Sequence, residues 1–289
     1  MHQQNESSNT ATDQVVAYLR GLLRKEQGLN LYEQYKPVLE KVTPIQIFTA
    51  YHKLFAEGTA VGDLLDILDK SINVFHKSLR QIQKPVKPVG LAYYLHKENQ
   101  ALLDRLQIIR DHLKNPSDRI REELLPLIDE LQQFDDHYLK KENVLFPYLE
   151  QKAEYFQGLG IMWALHDEIR LRLRQAGACL ANPACTEQER HVLLGRLIFG
   201  MHGMVLKEEL ILLPAAQDVL DAQDWQDMLR QSAEFSFPFL PDPPDLSSST
   251  GYSTGRVFNQ LTEALLQTET GSMTPAEIEQ VFAALPVDV

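Results

Sequence analysis

An eleven-residue segment of this chain occurs twice, and both copies place carboxylates within an otherwise apolar helical pattern. The first copy runs from His137 to Pro147 and the second from Met204 to Pro214. The residues that match are Leu139 with Leu206, Lys140 with Lys207, Glu142 with Glu209, Leu145 with Leu212, and Pro147 with Pro214. Because burying a bare charge is costly, such carboxylates must meet a counter-charge or a cation. Two such helices, joined by a third that carries His166, therefore predict a metal-binding helical bundle.

The composition excludes several classes of function. The 289 residues carry a formal net charge of −12, which argues against nucleic acid, since Lys and Arg clusters drive phosphate binding. No apolar run approaches the roughly 18–20 residues of a membrane span. The polar N-terminus lacks the pattern of a signal peptide. These features predict a cytoplasmic protein whose partners are neither nucleic acid nor membrane, and they leave its oligomeric state open.

The spacing of apolar residues predicts an all-α chain with a separate N-terminal part. The first twelve residues are polar and are expected to be disordered. Two stretches rich in proline, one with Pro85 and Pro88 and one after Pro241, are typical of linkers. The predicted parts are a small helical domain over 13–83, a four-helix bundle with a trailing helix over 90–235, a linker over 241–256 and a short helical segment over 257–289.

Each predicted bundle helix carries histidine or glutamate on its apolar face. Imidazole and carboxylate without organised thiolates suit iron, manganese or zinc. The candidate metal ligands are Glu98, His137, Glu142, His166, His202 and Glu209. A metal-free core is the alternative, with Glu98 neutralised by Arg105 or Lys141. We expect His96 to face solvent, and Glu208 as well unless a rotation of its helix exchanges its role with that of Glu209.

Two cysteines, Cys179 and Cys185, flank four residues of a predicted loop. With no export signal, free thiols are expected, because structural disulfides are rare in reducing compartments. A redox-responsive pair is the alternative.

Four stretches of the chain resemble the hemerythrin-like (HHE cation-binding) family. They are His96-Lys-Glu98-Asn, the first repeat copy, Met162-Trp-Ala-Leu-His166-Asp-Glu-Ile-Arg170, and Lys207-Glu-Glu209-Leu-Ile-Leu-Leu-Pro214. The resemblance implies an up-down four-helix bundle that usually holds a non-haem diiron centre. In similar bacterial proteins an uncharacterised helical domain precedes the bundle and a PAS domain follows it. Residues 75–79 resemble the end of the former, and 276–288 resemble the lead-in to the latter, which is absent here.

The chain departs from the family's usual ligand pattern in each helix. Gly90 and Tyr93 stand where the first helix usually has a histidine, and Lys141 replaces the glutamate of His-x-x-x-Glu. The third helix has one histidine where two are common, and Met204 replaces the histidine of the fourth. Iron, mono- or dinuclear, is the expected cofactor. Haem is the alternative, held by a subset of His166, His202, Met162, Met201 and Met204.

These features predict an iron- or haem-binding protein that senses or binds a small ligand, namely oxygen, nitric oxide or haem itself. An enzyme that repairs iron centres or handles peroxide or nitric oxide is one alternative. It is not the leading one, since the sequence has no nucleophile–base arrangement, phosphate loop or dinucleotide fingerprint. The other alternative is a metal-free helical interaction module that docks a protein partner through its N-terminal domain.

Overall fold

The computed structural model describes residues 2–117, 119–246, 266–268 and 271–273, with side chains for residues 10–117 and 119–246. The all-α prediction is confirmed, since helices account for nearly all regular structure in those ranges. None of the described helices combines the length and the apolar character that crossing a bilayer requires.

Four helices precede the bundle. Their bounds are α1 His2–Leu23, α2 Gly28–Leu39, α3 Pro44–Ala56 and α4 Val61–Ile82. The prediction of a disordered tail is wrong for residues 2–12, because α1 already begins at His2. No glycine or proline interrupts that stretch, and Thr12 is buried. The start of α3 is a capping box, in which Thr43 and Gln46 bond each other's backbone N–H groups.

The bundle consists of four helical rods, two of them built from several segments. The first rod is α5 Gly90–Lys114. The second consists of α6 Ile120–Leu131, α7 Asp135–Lys140 and α8 Phe146–Lys152. The third is α9 Gly160–Ala181, the fourth consists of α10 Glu187–Lys207 and α11 Leu213–Val219, and α12 Ala222–Gln231 follows the bundle. Short 3₁₀ turns occupy Gln132–Phe134, Glu154–Leu159 and Ser232–Glu234.

Both copies of the repeat contain a π turn. The turns cover Lys141–Leu145 and Glu208–Leu212, and in each the first carbonyl accepts from the N–H five residues on. A proline, Pro147 or Pro214, follows two residues later and has no N–H to donate, which removes one α-helical hydrogen bond. The extra residue in a π turn lets two successive side chains face the interior.

The N-terminal helices pack directly against the bundle. Their apolar core continues into Ile161 of α9 and into Leu210 and Ile211 of the second π turn. The Lys207 ammonium also binds the Asp69 carboxylate across this junction, with an N–O distance of 2.6 Å. Residues up to Pro244 thus form one compact unit. Whether 13–83 folds alone, as the linker pattern predicts, stays a prediction.

Cys179 and Cys185 form a disulfide between the end of α9 and the start of α10. The expectation of free thiols is therefore wrong. The tight turn between the two antiparallel helices brings the Cα atoms to 5.4 Å, within the range of a disulfide. Arg121 of α6 holds the same loop, donating to the carbonyls of Cys185 and of Asn182, the latter at 2.6 Å.

The described part of the C-terminal segment is a β-hairpin. Leu266–Thr268 pairs antiparallel with Gly271–Met273. The predicted helix is therefore wrong for these residues, where threonine favours strand and glycine favours a turn. Most of the predicted 241–256 linker and the rest of 257–289 lie outside the described residues.

Candidate functional site

A group of polar side chains fills the bundle interior beside the two π turns. Its members, which we call the charge cluster, are all at most 9 % exposed. They are Glu98, Asn99, His137, Lys140, Lys141, Glu142, His166, Glu208 and Glu209.

His137 of the second rod bridges a carboxylate of the first rod and one of the fourth. Its Nδ1 lies 2.6 Å from the Glu98 carboxylate, and its Nε2 lies 2.9 Å from that of Glu208. Phe134 stacks on the imidazole with 4.4 Å between ring centroids. Each ring nitrogen of His137 therefore faces a carboxylate oxygen.

Two lysines lie in the interior with no exposed surface. Lys140 donates to the Glu98 carboxylate at 2.6 Å, and Lys141 forms an ion pair with Glu208. Burial lowers the pKa of both lysines, while their carboxylate partners oppose that effect. Burial would raise the pKa of Glu208, but Lys141 and His137 hold it well below its usual range.

These contacts correct two predictions. The partner of Glu98 is Lys140, one residue before the expected Lys141 and not Arg105, which binds Glu130 instead. Glu208 is fully buried and not solvated, because the π turn directs two successive glutamates inward. Glu209 is buried as well, as the repeat predicts.

Glu142 orients His166 at the other side of the cluster. Its carboxylate lies 2.6 Å from His166 Nδ1, and Arg170 binds both of its oxygens at 3.1 and 3.0 Å. Burial opposes the ionisation of Glu142, but these two donors lower its pKa overall. Burial, together with the Lys141 charge, lowers the pKa of His166 to about 4. The imidazole is therefore neutral near pH 7 with its proton on Nδ1, and Nε2 has no partner among the described residues.

Glu209 connects the cluster to the surface through His96. The carboxylate lies 2.8 Å from His96 Nδ1 and accepts from the Asn99 amide at 2.9 Å. His96 was expected to face solvent, but its side chain is two-thirds buried. The hydrogen bond to Glu209 raises the pKa of His96.

The residues predicted for haem are spread over several places. His202 is half-buried away from the cluster, and burial together with Arg110 lowers its pKa. Met162 and Met204 line two different cavities, and Met201 is buried in α10. Whether any subset of them holds a haem stays a prediction.

The donor set does not fit a dinuclear metal centre. Among the described residues, no three His, Cys, Asp or Glu side chains are arranged to hold one metal ion. Both nitrogens of His137 and the carboxylates of Glu98 and Glu208 are engaged by hydrogen-bond partners. Lys141 stands where the resemblance predicts a glutamate, and its ammonium group pairs with the Glu208 carboxylate. Within the cluster, two possible ligand atoms have no hydrogen-bond partner among the described residues: His166 Nε2 and Asn99 Oδ1.

A segment after the bundle touches the cluster from outside. We call Phe235–Phe239 the aromatic strap. Lys140, which binds Glu98 inside, also donates to the carbonyl of Ser236 and lies 4.1 Å from the ring centroid of Phe237. One ammonium group thus joins the interior charges to the strap.

Sequence reasoning missed the two lysines as interior residues, since a cation is unfavourable beside a metal. The repeat could have indicated that these lysines face the interior. Lys140 aligns with Lys207, and Lys141 aligns with Glu208, so unlike charges occupy equivalent positions. Asn99 and Arg170 were missed because neither forms part of a ligand motif.

The neutral state of His166 predicts loss of stability in acid. The unfolded state binds more protons than the folded state between pH 6.5 and about 4, so stability falls as pH decreases through that window. From pH 7 to pH 5 we expect a loss of about 2 kcal/mol from this residue. Urea unfolding at both pH values measures it. His166→Gln should remove most of the loss and the exposed-site variant His191→Gln should keep it; equal loss in all three proteins would refute the assignment.

Comparison with known proteins identifies the bundle segment. Residues 91–216 match the family model described as the Hemerythrin HHE cation binding domain. No curated protein matches the chain.

Proposed function

Residues 91–216 of this chain belong to the hemerythrin HHE cation-binding family, and from that premise we propose a sensory and interaction module that works without a dinuclear metal centre. In this member, lysine ammonium groups supply the positive charge that the interior carboxylates require. A change in the charges or hydrogen bonds of its charge cluster alters the contacts of the aromatic strap.

The observation that carries the proposal is the charge balance of the cluster. Four carboxylates, those of Glu98, Glu142, Glu208 and Glu209, are buried. Three fixed cations contact them: Lys140, Lys141 and Arg170. His137 lies within hydrogen-bond distance of two of these carboxylates, Glu98 and Glu208, through its two ring nitrogens. A metal ion added to the cluster would lie close to the ammonium groups of Lys140 and Lys141, which would repel it.

The aromatic strap supports a role in transmission. Phe239 stacks on Phe134, which in turn stacks on His137 of the cluster. Arg105 of α5 lies 3.9 Å from the Phe239 ring centroid. Phe239 has a φ of +69°, an unfavourable conformation for a bulky residue that these contacts compensate. A change of charge at Lys140 therefore acts directly on the strap's contacts, and a displacement of His137 reaches Phe239 through Phe134.

The proposal predicts a protein without stoichiometric iron. We expect well below one iron per chain after purification, and again after anaerobic incubation with ferrous iron and desalting. Elemental analysis and an absorption spectrum measure this. Two irons per chain with near-ultraviolet charge-transfer bands, or a Soret band, would overturn it.

A single cation is a second candidate, supported by the free Nε2 of His166. The carboxylate–histidine arrangement of Glu142 and His166 resembles the pairs in which a carboxylate orients a metal-binding imidazole. Binding of one zinc or manganese ion per chain, lost in His166→Gln, would favour this candidate over the metal-free module.

A further inference from the structure

A narrow cavity lies where the N-terminal helices meet the bundle. Its volume is about 50 Å³. The walls come from α3, α4, α9 and the second π turn, and they are almost wholly apolar. They include Ile47, Leu68, Ile72, Ile161, Met162 and Ile211.

The polar groups beside this cavity are already engaged elsewhere. The Tyr51 hydroxyl lies 2.8 Å from Ser71 Oγ. The Lys207 ammonium donates to Asp69 at 2.6 Å and to the Gly203 carbonyl at 3.3 Å. A buried water needs about two to four polar partners, whereas a cavity lined by apolar side chains stays dry and accepts apolar guests. The cavity therefore favours an apolar occupant over water.

We infer that this cavity is a binding site for one small, uncharged, apolar molecule, of the size of a dissolved gas. Its volume is a third of the roughly 150 Å³ of an engineered cavity that binds benzene, so it admits only a few heavy atoms. The site goes beyond the proposed function, since none of its wall residues belongs to the charge cluster. An occupant would nevertheless contact Ile211, which lies in the same π turn as Glu208.

Xenon is the probe for this site. In crystals of the full chain pressurised with xenon, we expect one ordered atom in contact with Ile72, Ile161 and Ile211. Ile72→Phe fills the cavity and should abolish that peak. Ile82→Phe makes the same change on an exposed position of the same helix and should leave the peak at parental occupancy.

Every result of this experiment either supports the proposed binding site or overturns it. No xenon in the cavity of the parent protein, or xenon only elsewhere, overturns it, as does an unchanged peak in a folded Ile72→Phe protein. If Ile72→Phe does not fold, Ile72→Val serves instead, since it enlarges the cavity. Occupancy at or above the parental value then supports the inference, and a lower one overturns it.

Discussion

Lys141→Met should destabilise the protein by about 3–5 kcal/mol, the cost of leaving one partner of a buried ion pair alone. Lys141 has no exposed surface and pairs with Glu208, which is equally buried. Methionine keeps the length of the side chain but leaves the Glu208 carboxylate without its principal counter-charge. Urea or thermal unfolding at pH 7 measures the loss.

Two further variants test whether charge is the cause. Lys152→Met removes a surface ion pair with Asp224 and should leave the unfolding midpoint near that of the parent, since exposed pairs contribute little. Lys141→Met combined with Glu208→Gln should recover much of the lost stability, because both members of the pair are then neutral. A double variant no more stable than Lys141→Met would point to packing instead of charge.

Lys141→Glu should convert the cluster into one whose stability depends on a divalent cation. The substitution changes the interior charge by two units, equal to the charge of one divalent ion. Without metal, the introduced carboxylate and that of Glu208 would repel each other, and at least one would take up a proton. With zinc or manganese at 100 times its Kd, the variant should gain about 2.7 kcal/mol. Unfolding curves with and without metal, together with equilibrium dialysis, measure both effects.

The parent chain and Lys97→Glu are the matched controls. Lys97 is exposed on α5, so its variant has the same change in total charge outside the interior. Neither control should be stabilised by the cation. If all three proteins respond alike, the metal binds elsewhere and Lys141 does not stand in for a cation.

The repeat located the site, and the helical spacing predicted the rods that surround it. Spacing alone could not predict the π turns, which depend on how a proline such as Pro147 is accommodated. For that reason Glu208 was expected in solvent, although it lies at the centre of the cluster. The same one-residue shift explains why Lys140 and Lys141 both point inward.

Other errors had different causes. The helix over residues 2–12 is stabilised by tertiary packing beyond Thr12, which composition does not report. The disulfide depends on the loop geometry between α9 and α10, whereas the expectation of free thiols rested on compartment alone.

The disulfide has a consequence for the whole bundle. Cys179 and Cys185 tie the third rod to the fourth, and Arg121 binds the second rod to the same loop. The charge cluster joins the rods nearer their opposite end. One end of the bundle is thus held by a disulfide bond, which thiol reductants cleave. The other end is held by ion pairs and hydrogen bonds, which depend on pH. A reducing agent would loosen the hairpin while sparing the cluster, and acid would do the reverse, so the two ends of one small bundle respond to different conditions.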